Sequence, residues 1–71
     1  MPKLTEGQYR VGISFNPGGH TQVDHIKELA ALLIDYVLDE GKDPRCTAIA
    51  CTELESAAMW AVKSVTKEPK E

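Results

Sequence analysis

Aromatic side chains are scarce in this 71-residue chain, which has two Tyr, one Phe and one Trp, and it has only two cysteines. Cys46 and Cys51 stand five apart inside an expected helix, which turns them onto different faces and disfavours an internal disulfide. No C-x-x-C occurs, and two cysteines do not complete a zinc site unaided. They read as reduced, small apolar residues of a cytosolic protein. The opening MPKLTEGQYR lacks an apolar core, so no secretory leader is expected. The longest apolar run, Leu29 to Leu38, contains Asp35 and is too short to span a bilayer. Catalytic signatures are missing too: there is no Ser-His-Asp or Cys-His pattern, no Walker loop and no G-x-G-x-x-G. Glu53 and Glu55 fall on different helical faces and make no acid–base pair within one protomer. His20 and His25, with Asp24 between them, lack the spacing of a helical metal pair and read as solvated residues at a helix start. No metal, no cofactor and no enzymatic activity are expected.

What is present is ordinary in bulk: 42% hydrophobic and 27% charged residues, with a formal charge of -3. The length allows one domain, 1–71. An acidic balance argues against DNA or long RNA as a partner, which would call for a basic surplus. It leaves room for a small ligand with two or three phosphates, since a few placed cations suffice for that.

Along the chain, residues 1–8 are polar and read as loose. Tyr9, Val11, Ile13 and Phe15 then alternate with Arg10, Gly12 and Ser14, which predicts an extended segment with one apolar side. The arm, 1–20, would lie across helices, because a lone strand has no partner here. A helix follows over about 22–40, with Thr21 as N-cap, Asp24 completing a capping box, and Gly41 as C-cap. Its stripe is Val23, Ile26, Leu29, Ala30, Leu33 and Val37, though apolar residues occupy its other sides as well. Asp43 as N-cap and Pro44 at the first helical position open a second helix over about 44–66, followed by a charged tail, 67–71, with Pro69. Its packing stripe is Ala50, Leu54, Ala57, Ala61 and Val65. A connection this short predicts an all-α antiparallel two-helix hairpin. One such hairpin buries too little to offset the entropy of ordering it, so a symmetric homo-oligomer is expected, with pockets near its symmetry axes.

The stretch from Ser14 to Lys27 holds the most concentrated chemistry. Asn16-Pro17-Gly18-Gly19 is strong turn material set at the mouth of the first long helix, where free N–H groups and the helix dipole favour an anion. Lys27 lies one turn further in, where a phosphate would meet both, unless it is merely solvated. Phe15 and Tyr9 are candidates to stack on a base or, equally, to pack the arm. On the second helix Arg45 sits in the first turn, against the dipole's preference, and Thr52 shares its face two turns on. Trp60 reads as interface core, or as a stacking surface beside Lys63.

Ser14-Phe15-Asn16-Pro17-Gly18-Gly19, Val23, Ile26-Lys27, Leu33-Ile34-Asp35, Asp43-Pro44-Arg45, Thr52-Glu53-Leu54-Glu55 and Ala58-Met59-Trp60-Ala61-Val62-Lys63 form one ordered pattern over most of the chain. That pattern resembles the small phage anti-CBASS and anti-Thoeris sponges, which sequester the cyclic oligonucleotide signals of bacterial immunity. The resemblance implies a hexamer of dimers and trimers in the cytoplasm of an infected host. It implies that an arm aromatic, here Tyr9 or Phe15, stacks on a nucleobase of a cyclic dinucleotide held between protomers, while Lys27 meets phosphate. It further implies a second pocket type for cyclic trinucleotides near threefold axes, with Asn16, Arg45 and Thr52 as the matching positions. This chain is short even for that family, with a minimal inter-helix loop, so the resemblance leaves open whether both pocket types are present. The rival readings are a protein-binding adaptor hairpin gripping a partner through Met59 and Trp60, a small phosphodiesterase, and a sponge for a cyclised ADP-ribose.

Overall fold

The computed structural model describes residues 3–68. Three helices follow in order: α1 (Glu6–Val11), α2 (Thr21–Glu40) and α3 (Pro44–Thr66). Among the described residues there is no strand, and no helix is long and apolar enough to cross a membrane. Pro69, Lys70 and Glu71 of the expected charged tail lie outside the described residues.

The first helix replaces the extended segment that the alternation from Tyr9 to Phe15 suggests. Its start is a complete capping box: the Gln8 N–H donates to Thr5 Oγ1 at 3.1 Å, and the Thr5 N–H donates to Gln8 Oε1 at 3.0 Å. Arg10 Nε donates to Glu6 Oε2 at 2.8 Å, one turn apart. Gly12, at φ 62°, closes the helix in the left-handed conformation that favours glycine. The physical reason for the correction is backbone satisfaction. A solitary strand leaves its N–H and C=O groups unpaired, whereas this turn of helix pairs them internally and caps both ends.

The two long helices end close to where the sequence places them. Asp43 accepts from the Arg45 N–H at 3.0 Å with Pro44 at the helix start, and the Gly41 N–H donates to Val37 O at 2.8 Å. The entry to α2 differs. His20, not Thr21, is the capping residue, and it makes no side-chain cap bond. Asn16 instead ties the loop to this capping residue: its Nδ2 donates to His20 O at 2.8 Å and to Asp24 Oδ1 at 2.9 Å, while its Oδ1 accepts from the His20 N–H at 3.2 Å.

α1 lies on α2 at very short range because residue 7 has no side chain. A Cβ there would fall 2.2 Å from Ala31 O, and the Gly7 N–H instead donates to Asp35 Oδ1 at 2.7 Å. The three helices form a thin layer, with Cα extents of 46 × 33 × 12 Å. Its buried side chains are Val23, Lys27, Ala31 and Ile34 from α2 with Cys51 and Ala58 from α3. The buried row on α2 is therefore rotated from the expected stripe, since Leu29 and Leu33 are exposed. On α3, Ala57 and Val65 are exposed as well. A helix apolar almost all round does not declare which face packs, and a lysine in the buried row hides the true one. Cys46 is exposed and Cys51 buried, both free, on the different faces their spacing requires.

Candidate functional site

Between α1 and α2 the loop of residues 12–20 is fastened to α2 by two residues. One is Asn16 with its three bonds at the helix mouth. The other is Lys27, whose side chain is 7% exposed and is the one buried charge among the described residues. Its ammonium donates to Gly12 O at 2.9 Å and to Phe15 O, and it stands 5.4 Å from the centre of the Phe15 ring. No carboxylate lies within ion-pair distance of it among the described residues, where the one salt bridge is Arg10 to Glu6. Carbonyls solvate an ammonium without neutralising it, so this corner carries an unbalanced positive charge in a partly closed setting. Lys27 is thus neither a freely solvated lysine nor one aimed solely at the helix mouth.

Beside it runs a groove of about 480 Å³. Tyr9, Arg10 and Gly12 form one wall, Phe15 and Lys27 a second, and Glu55, Ala58, Met59 and Val62 of α3 the third. Tyr9 and Phe15 are each 72% exposed, so both rings are open to a planar partner. The hydrogen bond to Glu6 raises the Arg10 pKa above its ordinary value and leaves that guanidinium firmly charged. Two cations, Lys27 and the Glu6-paired Arg10, stand here with Glu55, two aromatic faces and an apolar floor, and this set suits a ligand that combines flat rings with phosphate.

A second hollow of about 260 Å³ adjoins the first and shares Phe15 and Lys27 with it; Asn16, Pro17, Gly18 and His20 complete its loop side. Five of the residues expected at a binding site, Tyr9, Phe15, Asn16, Pro17 and Gly18, therefore line the two hollows that share a sixth, Lys27. Arg45 and Thr52 are not. Both are exposed on α3, Arg45 in its first turn and Thr52 in a separate shallow hollow with Ala48, Ile49 and Glu53. Trp60 is 66% exposed, with the Lys63 ammonium 5.1 Å from its ring centre, beside Ser56 and Met59.

Sequence reasoning missed Arg10 and Gly7. Both belong to α1, and the signals that would have found them are Thr5-x-x-Gln8, a capping box, and the Glu6/Arg10 pair at helical spacing.

The family model described as "Acb2/Tad1, hairpin domain" matches residues 6–66, which run from the first residue of α1 to the last of α3. No curated protein and no solved structure matches the chain. With most of its length inside that match, the chain belongs to the Acb2/Tad1 hairpin family, the anti-CBASS and anti-Thoeris sponges of cyclic oligonucleotides.

Proposed function

We propose that the protein binds cyclic dinucleotides, cyclic GMP-AMP among them, and withdraws them intact from the CBASS effector that they would activate. The observation that carries this reading is the Lys27 ammonium, with no carboxylate in ion-pair distance, set against the open Phe15 ring in a groove that Tyr9 and Arg10 also line. In this reading Tyr9 or Phe15 stacks on a base while Lys27 and Arg10 meet phosphate. Asn16, Pro17 and Gly18 shape the rim, and Asn16 acts chiefly through the backbone it holds. Sequestration asks for affinity and copy number, and no proton transfer or nucleophile is needed. Arg45 and Thr52 stand apart from Lys27 within one chain, so they serve this function only at a second pocket, for cyclic trinucleotides, assembled from several copies in a symmetric hexamer.

Calorimetric titration against cyclic di- and trinucleotides and a cyclised ADP-ribose, with a thermal-shift scan beside it, tests the reading. A tight binder must raise its own unfolding temperature with ligand concentration. Chromatography of the ligand released by heat should return it unaltered; a cleaved product would make the protein a phosphodiesterase. No shift with any of these ligands would favour the adaptor reading, which the exposure of Met59 and Trp60, 67% and 66%, otherwise supports.

A further inference from the structure

On the side of α2 opposite its buried row, Leu29, Leu32, Leu33 and Tyr36 recur at helical spacing, and all four are exposed, by 55%, 67%, 48% and 66%. His25 precedes this stripe by one turn and Glu40 follows it by one turn, both exposed. The pattern is symmetric about the midpoint between Leu32 and Leu33. Laid antiparallel on a copy of itself, Leu32 meets Leu33, Leu29 meets Tyr36 and His25 meets Glu40. Laid parallel, Glu40 would face Glu40 and His25 would face His25. An isologous contact demands that the same patch complement itself under a two-fold rotation, and this stripe does so, apolar residue against apolar residue with a ring N–H donor opposite a carboxylate at each end. A groove of about 430 Å³ runs along its α1 side, edged by Leu29 and Leu32, and a second helix laid there would roof it.

We infer that this face of α2 is the seam between two copies of the chain, packed antiparallel about a two-fold axis through the Leu32–Leu33 midpoint. The inference rests on the self-association proposed above and goes beyond it in assigning the face, the direction and the register. Each Leu32 inserts beside the other copy's Leu33, and the His25 ring donates to the other copy's Glu40 carboxylate at both ends of the seam.

Cysteine cross-linking tests it in a Cys46→Ser background, where the remaining Cys51 is buried. One preparation carries His25→Cys and another Glu40→Cys, each surface changes that leave the leucines in place. A short bis-maleimide should couple the two when they are mixed and leave each alone largely uncoupled. Self-coupling of each preparation by itself would overturn the antiparallel register. Leu32→Glu should at least halve the mass seen by sedimentation at matched concentration while helicity is retained. A wild-type chain that sediments as a monomer would sink both self-association and the seam. An oligomer unaffected by Leu32→Glu, with no mixed cross-link, would sink the seam alone.

Discussion

Lys27 concentrates two jobs on one atom. Its ammonium ties down Gly12 and Phe15 and also supplies the positive charge of the groove. Lys27→Met should therefore abolish cyclic dinucleotide binding in calorimetry. It should also lower stability to denaturant by about 1–3 kcal/mol, the usual cost of orphaned polar groups. An unchanged Kd would remove Lys27 from the site. Tyr9 is mostly solvent-exposed, so Tyr9→Ala should leave the unfolding midpoint alone and, if that ring is the stacking one, weaken binding by about 1–3 kcal/mol. The same measurement on Phe15→Ala decides between the two rings. Asp43 and Cys46 form a further coupled pair, with the thiol Sγ 3.1 Å from the carboxylate. That contact, with the Arg45 and Cys46 N–H groups, lowers the Asp43 pKa, and the same carboxylate raises that of Cys46. The sign follows: the cap's contribution is present at neutral pH. It is lost as pH falls through the depressed carboxyl value, and the thiol's share is lost as pH rises through the elevated thiol value. Asp43→Asn should accordingly speed alkylation of Cys46 at pH 8, measured with iodoacetamide.

Among the elements, α1 depends most on one position. Gly7→Ala places a methyl group against Ala31 O, so α1 should lift from α2 and take Tyr9 and Arg10 with it. Hydrogen exchange should then show fast amides over residues 6–11, with α2 and α3 protected as before and ligand affinity reduced. Protection kept over 6–11 would show that the close approach can be relieved in place. α2 and α3 were legible in the sequence because Asp43-Pro44 and Gly41 are local signals, readable without knowing what packs where. α1 was not, because seven alternating residues from Tyr9 to Phe15 imitate a strand, while the Thr5/Gln8 box that settles the matter sits just before them. The facing of α2 was hidden for a different reason. Its buried row runs Val23, Lys27, Ala31, Ile34, and a lysine in that row looks like solvent-side chemistry until the loop carbonyls that solvate it are known. The site followed the same division: its loop residues and Lys27 stand in one run of sequence, whereas Arg10 and Met59 join only through the packing of three helices.

At the scale of the molecule, a layer 12 Å thick across its Cα atoms has no interior beyond the single row between helices. Among the described residues the largest side chains fully out of water are Ile34 and the small Cys51. If copies supply the missing burial, as proposed, the unfolding temperature should rise with protein concentration, since association stabilises by mass action. Scans over a hundredfold range of concentration check this, and a constant value would mean that the lone layer is sufficient.

The double duty of Lys27 also bears on how such a protein can change. Any replacement of Lys27 that removes its charge from the groove also unfastens the loop that carries the Phe15 ring. Adaptation to a new signal is therefore expected to run through Tyr9, Arg10 and Met59, which border the same space without holding the backbone around it.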